Sequence, residues 1–463
     1  MPRLAPSLFW RAGRVSPYLA TLLPVCRTIG SARNELRWIR THIESRSSRH
    51  PQGFGRNEES RLARWKPCRK KSALARLVAR RGAGEPLQYV LGSQPFGELD
   101  ILCRKGVLIP RPETEAWVSF LGEMICSPPS PPRATDRSQV EDKARNELGG
   151  DLRIVDFCSG TGCISLSLYA SSLALTRASE GVAKGRTGRG IPSPQPGPRV
   201  FGFDIESRAV RLARKNVLHN QRVLASHFPS TGHDLNATIE EIKRAVTFHP
   251  ADIFTDEWMG ILDADSDKRS GHHASILSRD PKDIPKIDIL VSNPPYISQR
   301  GFEVDTGRNV RNHEPKLALV PLTSSTFPSE SLSAEDIFYA RLLTIASLLR
   351  PRVVAFEVGD MAQAKRVVEM ALGPNPSTAA PSSSEHDEVY QSERYTVPRW
   401  DVAEIWRDWP DSRPAADEED TCLVHGRQIP VRGSGHGRVV FLAEGRALMK
   451  VNRNKGLRHP LYA

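Results

Sequence analysis

Beyond residue 150 the chain is punctuated by short apolar runs: LRIVDF (152–157), RVFGFD (199–204), AVTFH (245–249), IDILVS (287–292) and RVVAFEV (352–358). Each suits a strand buried on both faces. The stretches CISLSLYA and SRAVRLARKNVL, after the first two, carry apolar residues three and four apart and read as helices. Strands alternating with helices predict a parallel, doubly wound sheet. Two later runs, DVAEIWRD (401–408) and GRVVFLAE (437–444), fit an antiparallel hairpin closing one edge.

From Ser31 to Arg81 the apolar residues fall at helical spacing between basic ones. The following GEPLQYVLGSQPFGELDILCRKGVLIPRPETEAWVSF changes register. Its Gly and Pro punctuation predicts a hairpin between about Leu87 and Ile109, before a helix opening near Glu113. Long polar inserts at about 127–150, 171–198, 256–284, 374–395 and 411–436, rich in Ser, Pro, Gly and charge, read as disordered.

Composition narrows the classes. The 463 residues, 39% hydrophobic, can fill more than one core. No apolar run approaches the roughly 20 residues of a membrane-spanning helix, so no membrane partner is expected. Seven cysteines without metal-ligand spacing argue for a reducing compartment and against a disulfide framework or a bound metal.

The net charge of +12 is partly concentrated in RLARWKPCRKKSALARLVARR, Arg61 to Arg81, which contains no acid. Such a run can grip phosphates or form the basic face of a solvated helix. With 7% aromatic residues, a base-stacking platform is not indicated. The first 34 residues hold Arg3, Arg11, Arg14, Arg27 and Arg33 and no acid, which suits a mitochondrial transit segment over about residues 1–30. The overlapping stretch Pro17 to Ile43 also suits an amphipathic part of a folded helical domain, and both can hold, with a short presequence before the helices.

The chemistry collects at two strand ends. IVDFCSGTGCISLSL (154–168) is strand, glycine turn and helix, in which Gly160 and Gly162 let a ligand approach the backbone. Ser165 stands where a dinucleotide fingerprint wants its third glycine, and no Walker lysine follows. Asp204 ends the second strand, placed to accept hydrogen bonds from ribose hydroxyls. Turn and acid together indicate an adenosine-type ligand, with NAD and S-adenosylmethionine both open at this point.

The fourth strand runs into Asn293, Pro294, Pro295 and Tyr296. Two prolines lack ladder donors, so the strand stops and a rigid lip follows. Asn293 offers a carbonyl acceptor, the proline turn offers fixed backbone carbonyls, and Tyr296 offers a flat face. Such acceptors can hold a planar NH2 group, polarise it and favour its attack on a sulfonium methyl without a metal or covalent intermediate.

The ordered segments GEPLQYVLG, VLIPRPETE, IVDFCSGTGCISL, FDIESRAVRLARKN, SNPPYIS, VRNHEPKLALV and FEVGDMAQA resemble the HemK-type release factor glutamine N5-methyltransferases. The resemblance implies an α/β protein: a Rossmann-like, seven-stranded class I S-adenosylmethionine-dependent methyltransferase domain (113–450), a β-hairpin connector (85–112) and a smaller helical substrate-recognition domain (31–84). It implies S-adenosyl-L-methionine held by Cys158, Ser159, Gly160, Thr161, Gly162 and Asp204, with Asp252 and Ile253 flanking adenine and Asn293 also beside the cofactor. Asn293, Pro294, Pro295 and Tyr296 would clasp a glutamine amide, with Asn293, Pro294 and Tyr296 carrying the catalysis. The implied partner is a class I release factor bearing a GGQ sequence, in mitochondria given the acid-free start, with the cytoplasm as the alternative. The family often has glycine where this chain has Cys158.

Two rival functions use the same residues. A nucleic-acid adenine or cytosine N-methyltransferase would present a flipped base to the same lip; IPRPETE and NHEPKLAL argue against it. A non-catalytic S-adenosylmethionine-binding translation factor would tolerate a damaged lip, whereas Asn293 to Tyr296 are intact.

Overall fold

The computed structural model describes residues 4–48, 70–126, 152–184, 197–228, 235–265, 284–322, 332–373 and 400–444. They divide into two compact units, Met1–Gln94 with Cys103–Ile109 and Thr306–Glu314, and Pro95–Leu102 with Pro110–Asp305 and Pro315–Ala463.

The first unit is helical. Its helices α1 (Pro6–Val15), α2 (Pro17–Cys26), α3 (Ile29–Ser48), α4 (70–82) and α5 (Leu87–Leu91) enclose Leu19, Leu22, Leu23, Leu36, Ile39 and Val78. Pro17 starts α2 where a missing N–H costs nothing, and Ser16 caps it by accepting from Tyr18 N–H. The stretch read as a transit segment therefore contributes Leu22 and Leu23 to a core.

The basic run differs from its phosphate-gripping reading where it is described. Arg81 is buried and donates to Glu35 at 2.6 and 2.9 Å, and Arg80 donates to Glu85 at 2.8 and 2.6 Å. These guanidinium groups are committed to internal carboxylates. Residues 61–69 lie outside the described residues.

The hairpin expected over 87–109 is shorter. Leu87–Leu91 is helical and Gly92, with φ +90, ends it; strands β1 (Ser93–Phe96) and β2 (Leu99–Leu102) follow. In the second unit, helix α6 (Pro112–Cys126) precedes β3 (Arg153–Phe157), α7 (Cys163–Lys184), β4 (Arg199–Asp204), α8 (Ser207–Ser226), α9 (Leu235–Ala245), β5 (Val246–Pro250) and α10 (Glu257–Asp265). Then come β6 (Ile289–Ser292), α11 (Gln299–Val304), α12 (Arg308–His313, in the first unit), α13 (Ile337–Leu349), β7 (Val353–Glu357) and α14 (Met361–Leu372). The chain closes with β8 (Val402–Trp409), β9 (Thr421–Val424), β10 (Arg427–Arg432) and β11 (Ser434–Ala443).

Among the described residues the sheet has nine strands in the order β5-β4-β3-β6-β7-β11-β8-β10-β9. β5 to β7 are parallel, β11 runs antiparallel between β7 and β8, β10 is parallel to β8, and β9 is antiparallel to β10. The seven expected strands are present, making a Rossmann-like class I methyltransferase fold, and β9 and β10 extend it. The 411–436 segment, read as disordered, is where those two lie. Helix likewise occupies 171–184 and 257–265, within inserts read as disordered, whereas 127–150 and 374–395 lie outside the described residues. The pair β8 and β11 is interior to the sheet and closes no edge.

Successive strand residues point to opposite faces and fill two cores. Ile154, Ile289 and Val291 pack with Trp117, Leu121, Leu166 and Val210 on one face; Val155, Leu290 and Val354 pack with Trp258, Tyr339 and Val367 on the other. Parallel pairing of Phe157 with Phe203 and Ser292, and of Ser292 with Phe356, brings four strand ends to one rim.

Candidate active site

At that rim, β3 hands over to α7 through residues 158–162. Cys158, Gly160 and Gly162 have φ of 60°, 55° and 78°. Gly162 is also sterically required: a Cβ there would stand 2.6 Å from Phe248 Cζ. The loop is tied to β4, since Ser159 N–H donates to the Phe203 carbonyl at 3.0 Å and Gly160 N–H to Asp204 Oδ2 at 2.9 Å. Glu206 N–H donates to the other Asp204 oxygen at 2.8 Å. A carboxylate has about four acceptor positions, so Asp204 keeps capacity for two hydroxyl donors. Desolvation pushes its carboxyl above the ordinary range, and the two backbone N–H groups oppose that shift.

The positive φ at position 158 gives a reason for glycine there: a side chain costs strain that glycine avoids. Burial and the Asp204 carboxylate push the Cys158 thiol well above its ordinary range, so it stays protonated and is no nucleophile. Asp252 and Ile253 sit after β5, where Ala251 N–H donates to the Asp204 carbonyl at 3.1 Å. Asp252 Oδ1 accepts from Phe254 N–H at 2.9 Å, and the Ile253 carbonyl accepts from Arg341 Nε at 2.8 Å. The Ile253 side chain packs into the core, which leaves Asp252 and the main chain as the parts open to a ligand.

At the neighbouring strand end, Ser292 Oγ donates to the Phe157 carbonyl at 2.8 Å, linking the acceptor lip to the glycine loop. Pro294 and Pro295 are buried; Asn293 and Tyr296 are half-buried. The Tyr296 hydroxyl donates to Glu357 Oε1 at 3.3 Å, its carbonyl accepts from Gln363 Nε2 at 3.4 Å, and Ile297 N–H donates to the Leu319 carbonyl at 2.8 Å. The lip is thus fixed at several points.

Four further residues, Glu357, Thr114, Trp117 and Asp156, pack beside the lip and the glycine turn, although none was picked out as a site residue in the sequence. Glu357, 1% exposed at the end of β7, accepts from Thr114 Oγ1 at 2.7 Å and from Trp117 Nε1 at 2.8 Å, both through Oε2. Asn293 Nδ2 lies 3.5 Å from that Thr114 oxygen. Burial pushes Glu357 upward, and burial with the nearby Glu357 does the same to the Tyr296 phenol. Asp156, fully buried in β3, accepts from Ser165 Oγ at 2.6 Å through Oδ2, has no hydrogen-bond partner on Oδ1 among the described residues, and is pushed up to about 7 by burial. The available signal was an acid inside an otherwise apolar strand: the Asp of RIVDF and the last Glu of VVAFE.

No family model matches the chain. It is similar to the mitochondrial MRF1 N(5)-glutamine methyltransferase MTQ1 of Saccharomyces cerevisiae, at 30% identity over 320 residues, covering 69% of this chain and 68% of that protein. A Schizosaccharomyces pombe protein, named "Probable MRF1 mitochondrial N(5)-glutamine methyltransferase mtq1", is 29% identical over 289 residues, 62% of this chain and 68% of its own. The release factor glutamine methyltransferase of Thermodesulfovibrio yellowstonii is 29% identical over 181 residues, 39% of this chain and 49% of its own. Among solved structures, the METTL16 methyltransferase domain aligns over 78% of this chain and 95% of its own, with 12% identity and a TM-score of 0.33, too loose a likeness to add to the sheet order.

Proposed function

The chain belongs to the release factor glutamine N5-methyltransferases, and from that premise we propose how its residues divide the work and which release factor it serves. The enzyme methylates the side-chain amide of a release factor glutamine, with S-adenosyl-L-methionine as cofactor. The observation that carries the site reading is the shared rim: the Asp204-tethered glycine loop and the Asn293–Tyr296 lip leave adjacent parallel strands, joined by the Ser292–Phe157 hydrogen bond.

When bound, S-adenosylmethionine supplies a sulfonium methyl. Asp204 and residues 158–162 would hold it, which fits the spare acceptor capacity of Asp204 and the open backbone of the turn. Asn293 Oδ1 and the Pro294 carbonyl accept the two N–H hydrogens of the substrate amide, while Tyr296 covers its face. Accepting both hydrogens draws electron density onto a nitrogen whose lone pair is otherwise delocalised, and fixes it for attack. Asp252 and the main chain of Ile253 would flank the adenine.

The substrate we propose is the GGQ glutamine of a class I mitochondrial release factor, which fits the similarity to two mitochondrial MRF1 methyltransferases and the acid-free start. The helical unit recognises the body of the release factor. Purified protein, labelled cofactor and recombinant mitochondrial release factor, followed by peptide mass spectrometry, test this. One methyl on the GGQ glutamine, absent after its replacement, is expected. Label appearing in total RNA and not in the release factor would overturn it in favour of the nucleic-acid reading.

A further inference from the structure

The segment IPRPETE (109–115) leads into the first turn of α6 and has no role yet in the chemistry of the lip, but its Thr114, in that turn, is 2% exposed and lies between Asn293 and Glu357. Its hydroxyl has one proton. Glu357 Oε2 receives that hydroxyl at 2.7 Å and also the Trp117 indole N–H, which can only donate, at 2.8 Å. An ionised carboxylate only accepts, and here both oxygens are used as acceptors, Oε1 from the Tyr296 hydroxyl and Oε2 from Thr114 and Trp117. Thr114 therefore spends its proton on Glu357.

What remains on Thr114 Oγ1 is lone pairs. Facing Asn293, it can only accept, so it favours the amide nitrogen over the amide oxygen of that side chain. The observed contact has this polarity, Nδ2 to Oγ1 at 3.5 Å, a separation of the kind that shortens when a site closes on its ligand. Asn293 Oδ1 has no donor among the described residues. The carbonyl oxygen is left to accept.

We infer that Thr114 is a positioning residue that selects the amide orientation of Asn293, through a one-way chain of hydrogen bonds from Asn293 to Thr114 to Glu357. The inference rests on the reading of Asn293 as the acceptor for the substrate amide. Turned over, Asn293 would present NH2 to NH2, two donors facing one another. Thr114 thus discriminates between a productive and an unproductive amide, and Glu357 serves both ends of the lip by also receiving the Tyr296 hydroxyl.

The test is a double-mutant cycle on the full chain, with release factor methylation and cofactor affinity measured separately. Thr114→Val keeps the shape and removes the hydroxyl. Turnover should fall about tenfold, the weight of one neutral hydrogen bond, with cofactor affinity unchanged. Thr114→Ser, which restores the hydroxyl, should recover to within about threefold of native. In an Asn293→Ala background, Thr114→Val should cause no additional loss, because there is no amide left to orient.

Three outcomes would overturn the proposal: native turnover in Thr114→Val, no recovery in a Thr114→Ser protein that melts like the native one, or equal fold-losses from Thr114→Val in both backgrounds. The last would mark a merely structural threonine. Native turnover in Asn293→Ala alone would instead remove the acceptor reading beneath it, so the two failures are distinguishable.

Discussion

The two halves of the site are built by different means. At the cofactor end, Asp204 is held by backbone N–H groups 2 and 44 residues away, Glu206 and Gly160, through a loop shaped by its own φ values. At the acceptor end, Asn293 and Tyr296 are held by side chains: Thr114, 179 residues distant, and Glu357, 61 residues distant, which itself reaches Thr114 across 243. Backbone donors are present whatever side chains surround them, so a local turn can build the first half. The second exists only after the fold has brought α6, β6 and β7 together. Each half also contains a buried carboxyl, Asp156 or Glu357, and these differ too: Glu357 has donors on both oxygens, whereas Asp156 has one oxygen without a partner among the described residues.

That difference is sharpest in stability. The Asp156 carboxyl lies at about 7 in the folded protein against an ordinary 3.8. A raised acid is bound to its proton in the native state and not in the unfolded one, so stability is lost as pH rises from about 4 to about 7. Asp156→Asn removes this dependence. In cofactor-free protein, its unfolding free energy should exceed the native value by up to about 4 kcal/mol above pH 7, from 1.36 kcal/mol per unit, with the gap closing toward pH 4. Denaturant titrations at pH 4.5 and 8 check it; a gap independent of pH would mean that Asp156 is held ionised.

The next two replacements should separate the halves. Asn293→Ala should lower turnover by about a hundredfold to a thousandfold, or 2.7 to 4 kcal/mol, with a much smaller loss of cofactor affinity, since Asn293 stands beside the cofactor without carrying its charge-assisted contacts. Asp204→Ala should do the converse, weakening S-adenosylmethionine binding by roughly 1.5 to 3 kcal/mol through loss of charge-assisted hydrogen bonds. Calorimetry and saturating-cofactor kinetics on both proteins check this. If Asn293→Ala also lost cofactor affinity to the same degree, the two ends would be one energetic unit.

The smallest effect tests how local the cofactor end is. Cys158→Gly removes a side chain from φ 60°, and relief of strain opposed by greater unfolded-state freedom should leave a gain of about 1 kcal/mol or less in stability. Turnover should stay within about twofold. A large loss of cofactor affinity, read by calorimetry, would give the thiol a contact that backbone geometry does not.

Much of the fold was legible because the seven strands are apolar runs bounded by polar turns, and that pattern survives any tertiary context. β9 and β10 were not, for a physical reason. Only Ile429 and Val431 of β10 alternate toward the core, around an exposed Pro430, so the segment reads as a turn-rich loop until β8 supplies its partner. Leu87 to Leu91 misled in the opposite sense: β-formers there take a single helical turn because Pro86 precedes them and Gly92 stops them.

By itself the sequence determined what depends on a residue's own covalent constraints and near neighbours. Prolines 294 and 295 end β6 because they lack donors, glycines 160 and 162 open the turn because they tolerate positive φ, and Asp204 follows its strand to the same rim. The tertiary structure alone decided which charges are free and which way polar groups face. Arg80 and Arg81 read as part of a basic run that either grips phosphates or faces solvent, until Glu85 and Glu35 claim them. Thr114 reads as an ordinary first-turn residue until Glu357 takes its proton and turns its lone pairs toward Asn293. Hydrogen-bond polarity is a property of a chain of partners, and these partners are distant in sequence, so only folding fixes it.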